Sequence, residues 1–335
     1  MGEAVFTEVE IPRFVAVERS AKNEPEKLQM LFERTGLEDF NLTILRSNSE
    51  NFEKKLSDEE LIRESSRVVV IKGGWCSDRK ILEDLAADIL ERDPKAVVLM
   101  IDHAGQRDSG FKNPEIITTD EHKETLEFNL EATKVGMEFL GFSDEQILKL
   151  NKNLVKIGHS RGAAAGLYDK EALDNPDIKY LFLAPVLGHH GFNPDVARII
   201  LPLSIATART IYRHANLLDF AADRVRNLLI NYYVGSSHKK VVDRYIENFH
   251  HTDKIVLARF IANLYEQEFP DLIGKINPER HHFYVYGNDK FVDKDHMLNE
   301  IKKGIGEDKF EQCVSTYDGD HHAFLDSNTG SNKDI

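Results

Sequence analysis

The stretch Asn153-Leu154-Val155-Lys156-Ile157-Gly158-His159-Ser160-Arg161-Gly162-Ala163-Ala164-Ala165 decides the fold. Residues 154–157 read as a buried strand, and residues 161–173 read as a helix. Between them lies Gly-x-Ser-x-Gly. A serine at such a junction occupies a tight, strained turn, and the flanking glycines leave room for it. Its hydroxyl is then exposed above the carboxyl ends of the strands. The three alanines that follow let the helix pack close to a sheet. Without a functional context, the same residues would make a plain strand-to-helix turn with an idle serine.

Outward from this turn the pattern is regular. Residues 67–72 are a nearly unbroken Val/Ile run ended by Gly73-Gly74, as expected of a strand buried on both faces. Helical spacing follows over 77–92, a second buried strand over 96–101, a long helix over 121–139, and a strand over 178–183. Strands alternating with helices imply parallel βαβ units in an open sheet with helices on both faces. The alternation stops at Gly188. Residues 188–275 read as mostly helical, most clearly over 217–233 and 254–269. It resumes with a strand over 282–286, a helix near 295–303 and a strand near 312–316. The chain thus divides into 61–187 and 276–335 as the sheet-bearing core, 188–275 as an insertion, and 1–60 as an N-terminal segment of unclear role. In that segment one or two strands over 5–17, a helix over 24–34 and a strand over 41–45 are the readable elements.

A serine nucleophile needs a base, and the base needs an orienting acid. Past the strand 282–286 come Gly287-Asn288-Asp289-Lys290-Phe291-Val292-Asp293. Asp289 is the expected acid and Asp293 the alternative. Past the strand 312–316 come Asp318-Gly319-Asp320-His321-His322-Ala323-Phe324, where either histidine can serve as base. Serine, acid and histidine thus fall at strand ends in that order. The tetrahedral intermediate needs two backbone donors. Arg161, directly after the serine, offers one N–H, and Gly74 in Lys72-Gly73-Gly74-Trp75 offers the other. Trp75 and His159 are the candidate pocket residues, although Trp75 fits core packing equally well.

Asp102-His103-Ala104-Gly105-Gln106-Arg107-Asp108-Ser109 resembles the Asp-x-Pro-Gly-x-Gly-x-Ser loop of the α/β-hydrolase superfamily. Ala104 replaces the proline and Arg107 the second glycine. The resemblance spans about residues 67–187 and 275–324. It implies an α/β-hydrolase fold, a Ser–Asp–His hydrolase without metal or organic cofactor, and a helical cap formed by 188–275. His322 is preferred as base, because its spacing to Ala323-Phe324 resembles the family's Gly-His-Ala-Phe ending; His321 stays open. Lys72-Gly73 stands where the family often has His-Gly. The expected reaction is hydrolysis of a carboxylic ester or thioester of a small or acyl-chain substrate through an acyl-enzyme. Carbon–carbon, lactone or peptide hydrolysis on the same triad, or ligand binding without catalysis, are the alternatives.

Composition agrees. The 335 residues carry a formal net charge of −14 and are 41 % hydrophobic. That content supports a sizeable core and argues against disorder. The acidic balance argues against a general nucleic-acid binder. Residues 188–275 are slightly basic, so the acid excess lies on the rest of the chain. No apolar run is long enough to span a membrane, and the N-terminus does not read as a signal peptide. Cys76 and Cys313 read as free thiols of a cytoplasmic protein. Histidine doublets at 189–190, 250–251, 281–282 and 321–322 lack metal-ligand spacing, so no metal site is expected.

Overall fold

The computed structural model describes residues 14–20, 26, 41–47, 58–74, 77–102, 143, 145–146, 153–196, 239–251 and 270–325. Their strands are β1 (Phe14–Ser20), β2 (Asn41–Ser47), β3 (Val68–Lys72), β4 (Val97–Ile101), β5 (Leu154–His159), β6 (Lys179–Leu183), β7 (His281–Tyr286) and β8 (Val314–Tyr317). They form one eight-stranded sheet in the order β1-β2-β4-β3-β5-β6-β7-β8. β2 pairs antiparallel with β1 and β4. All later pairings are parallel. The carboxyl ends of β3 to β8 therefore open on one edge, where loops from different strands converge.

The Val/Ile runs are buried throughout because helices cover both faces. Val68, Val70, Val97 and Leu99 point to one side, against Ala163, Ala164 and Ile301. Val69, Ile71, Val98 and Met100 point to the other, against Leu82, Leu85 and Ile89. The described helices are α1 (Asp58–Glu64), α2 (Glu83–Arg92), α3 (Arg161–Gly166), α4 (Lys170–Asp174), α5 (Lys239–His251), α6 (Pro270–Ile273), α7 (Lys294–Ile305) and α8 (Glu307–Cys313).

Three elements differ from the sequence reading. The helix expected over 161–173 is two helices, α3 and α4, with a turn between them. In that turn Asp169 accepts the Ala172 N–H at 3.0 Å and pairs with the buried Lys156 ammonium of β5 at 2.8 Å. A local cap and a buried counter-charge thus restart the helix. The helix expected over 77–92 begins as a 3-10 turn over Arg79–Leu82, capped by the Asp78 side chain. The strand expected near 312–316 starts later, because Gln312 and Cys313 close α8. β1 lies at 14–20, at the end of the range expected to hold strands. The helices expected over 24–34, 121–139, 217–233 and 254–269 lie outside the described residues or almost wholly so.

Candidate active site

Ser160 stands directly after β5 and before α3, with φ 52° and ψ −113°. Among the described residues only Ser160 and Ala184 are non-glycines with positive φ. Such a conformation costs about 1–3 kcal/mol, which the surrounding structure must hold in place. Part of that hold is the Ser160 N–H, which donates to the Leu183 carbonyl of β6 at 2.8 Å. The two glycines answer to space. A Cβ on Gly158 would lie 2.5 Å from the Gly162 carbonyl oxygen, and one on Gly162 would lie 2.4 Å from the Gly73 carbonyl oxygen. The second contact seats the serine turn directly on the loop after β3. Gly74 of that loop is adjacent to the serine: a Cβ there would stand 3.4 Å from Ser160 Oγ.

Asp289 lies in the loop after β7, with its side chain almost wholly enclosed. Its Oδ1 accepts the N–H groups of Phe291 at 2.8 Å and Val292 at 3.0 Å. Its Oδ2 accepts from His321 Nδ1 at 2.7 Å. Both carboxylate oxygens are therefore committed, and the His321 ring is fixed in one tautomer with the proton on Nδ1. Asp293, the alternative acid, instead caps α7 by accepting the His296 N–H at 3.0 Å. That leaves its carboxylate at a helix end rather than on a histidine.

The geometry departs from the preference for His322: the ring bonded to Asp289 is that of His321. Asp320 Oδ1 accepts the His322 N–H at 2.9 Å, and Ala323–Leu325 follows as a 3-10 turn. In this turn the adjacent rings diverge. His321 faces Asp289, while His322 Nε2 meets the Tyr245 hydroxyl of α5 at 3.1 Å. Of the two candidate pocket residues, His159 is the one that lies among the described residues. It is fully enclosed, with ring centroids 4.7 Å from His321, 4.9 Å from His322 and 4.6 Å from Phe324. Arg161 is also buried, and desolvation lowers its pKa to about 10. Trp75, Cys76 and the loop 103–109 lie outside the described residues.

Other contacts at this edge were not legible beforehand. Asp102, at the end of β4, accepts the Arg79 N–H at 2.8 Å and pairs with the Arg79 guanidinium. Burial raises the Asp102 pKa to about 6, against the opposing pull of Arg79. Asp78 Oδ2 accepts from Arg244 Nε at 2.9 Å and Nη2 at 2.5 Å. Arg244 and Tyr245, neighbours on α5, therefore bind the loop after β3 and the loop after β8. In the sequence they are two residues of an amphipathic helix, and nothing marks their partners. Lys72, at the end of β3, is buried, and desolvation lowers its pKa to about 7. Among the described residues no group of three His, Cys, Asp or Glu could hold a metal ion, and no helix is long and apolar enough to cross a membrane.

This strand order, with a strained serine after β5 and an acid and histidine after β7 and β8, defines the α/β-hydrolase fold, and the chain has that fold. Solved structures agree. The enol-lactonase from Burkholderia xenovorans superposes with a TM-score of 0.55 at 15 % identity, covering 88 % of this chain and 95 % of that one. The 2-hydroxy-6-oxo-6-phenylhexa-2,4-dienoate hydrolase from a Rhodococcus species gives 0.52 at 15 %, covering 87 % and 90 %. A structure from a study of carboxylesterases of the thaumarchaeon Nitrososphaera gargenis gives 0.52 at 11 %, covering 85 % and 89 %. At these identities the likeness establishes architecture. No protein-family model matches the chain, and no curated protein matches it.

Proposed function

We propose that this chain is a serine hydrolase that cleaves a carboxylic ester or thioester of a small or acyl-chain substrate. The observation that carries the reading is the Asp289–His321 hydrogen bond at the sheet edge that bears the strained Ser160. With its Nδ1 proton committed to Asp289, His321 presents Nε2 as the basic nitrogen. That nitrogen takes the Ser160 proton as Oγ attacks the carbonyl carbon, and returns it to the leaving alcohol or thiol. Water, deprotonated by the same nitrogen, then releases the acid from the acyl-enzyme. The N–H groups of Gly74 and Arg161 stabilise the oxyanion, a contribution of about 3–4 kcal/mol per donor in such sites. The insertion 188–275 serves as a cap over the pocket, because α5 is anchored to loops on both sides of the serine.

A fluorophosphonate probe tests the assignment. The purified chain is expected to be labelled at Ser160, and the Ser160→Ala chain is not. Hydrolysis of short p-nitrophenyl esters is lost in parallel. Unchanged hydrolysis by Ser160→Ala overturns the reading. A panel of esters, thioesters and lactones of varied acyl length then ranks the bond cleaved.

A further inference from the structure

His159 is the residue between the first glycine and the serine, and its side chain takes no part in the steps above. Its ring is nevertheless packed against the loop after β8, beside His321, His322 and Phe324. Its Nε2 lies 3.0 Å from the carbonyl oxygen of His321. A carbonyl only accepts, so Nε2 carries the proton and donates it. Burial holds the His159 pKa well below the ordinary histidine value, and the neighbouring His321 lowers it further. The ring is therefore the neutral Nε2–H tautomer, with the Nδ1 lone pair turned away. That Nδ1 lies 3.4 Å from where a Gly74 Cβ would stand. His159 thus binds the loop after β8 with one nitrogen and turns the other toward the side on which Gly74 lies. It does so from the backbone position next to Ser160.

On the serine-hydrolase reading, we infer that His159 is a positioning residue that sets the base against the nucleophile. Its N–H holds the peptide of His321, and the backbone of His321 determines where its Nε2 sits. The two rings are 4.7 Å apart, and two imidazolium ions at that separation would repel. Asp289 accepts from His321, whereas the contact made by His159 is with a carbonyl. The transferred proton therefore resides on His321, and His159 acts by holding, with no proton transfer of its own.

The test uses two polar replacements of similar size. A glutamine places its amide nitrogen near the former Nε2, so His159→Gln can still donate to the His321 carbonyl. An asparagine stops near the former Nδ1, so His159→Asn cannot reach it. With a p-nitrophenyl ester, His159→Gln is expected to keep kcat within about threefold of wild type. His159→Asn is expected to lose about 10- to 100-fold in kcat with KM within about twofold, the penalty for misplacing a reacting group by a fraction of an ångström. The far-downfield proton resonance of the Asp289–His321 hydrogen bond is expected to persist in His159→Gln and to shift or broaden in His159→Asn. Equal kcat in the two variants, or a loss carried by KM, overturns the inference while wild-type labelling leaves the serine-hydrolase reading standing. A wild-type chain that does not label at Ser160 overturns both. If His159→Asn does not fold, His159→Gln alone decides: a kcat below one tenth of wild type in a folded His159→Gln chain overturns the inference.

Discussion

Gly162→Ala is the most informative single substitution at the junction of the serine turn and the oxyanion loop. A Cβ built there lies 2.4 Å from the Gly73 carbonyl oxygen and 2.7 Å from that of Lys72. Both neighbours are backbone, so no side chain can swing aside. Reaching even the 3.0 Å floor of real Cβ contacts requires the two segments to part by about 0.6 Å. Overpacking of this kind costs about 1–3 kcal/mol. The displacement falls between Ser160 and Gly74, so the proposed nucleophile and one proposed oxyanion donor separate, which predicts a further loss of about 10- to 100-fold in kcat. KM should change little. Urea unfolding measures the first effect and steady-state hydrolysis of a p-nitrophenyl ester the second. The control is Gly306→Ala, between α7 and α8, where φ is +81° and nothing lies within 4 Å. Backbone strain there costs about 1–3 kcal/mol and should leave kcat unchanged. If Gly162→Ala, folded at the assay temperature, keeps full kcat, the contact between the two loops does not set the catalytic geometry.

Four further outcomes are expected. Asp289→Asn removes the acceptor for His321 Nδ1–H and should lower kcat by about 10⁴-fold with little change in KM. His321→Ala should abolish fluorophosphonate labelling, whereas His322→Ala should retain it; the reverse result would return the base to His322. Asp78 and Arg244 form a two-pronged, largely buried pair, so a double-mutant cycle by urea unfolding should give a coupling of about 1–3 kcal/mol. Lys72 has a folded pKa near 7, against 10.5 for an ordinary lysine. Between those values the unfolded chain binds the extra proton, so stability should rise as the pH climbs from 7 to 10.5. Lys72→Met should flatten that rise in denaturation midpoints taken across the range.

How much of this was visible in the sequence depends on how local the determining physics is. β3 and β4 were plain because strands buried on both faces are continuous apolar runs. The serine turn was plain because its glycines are demanded by contacts within a few residues and by one neighbouring loop. β1 was harder, since it is an edge strand paired only to β2 through a long connection and has one sheet neighbour to shape its composition. The order of serine, acid and histidine narrowed the expected base to two adjacent residues, and only the spacing to Ala323-Phe324 favoured His322. Which of the two rings meets Asp289 is decided by a turn in which Asp320 binds the His322 N–H, and chain order is blind to it. The Asp78–Arg244 pair joins residues 166 positions apart, so neither sequence segment announces the other.

The grip of α5 on the sheet edge bears on how this protein can be re-engineered. Arg244 and Tyr245 are consecutive, yet one fastens to Asp78 and the other to His322. An insertion borrowed from another protein of this fold would leave Asp78 as a buried carboxylate stripped of its guanidinium, and His322 without its phenol. Grafting substrate preference by exchanging residues 188–275 therefore requires four positions to travel together, two of them outside the exchanged segment. On the proposed division, a library that randomises residues 188–275 while ignoring Asp78 and His322 will lose mostly to misfit rather than to poor chemistry.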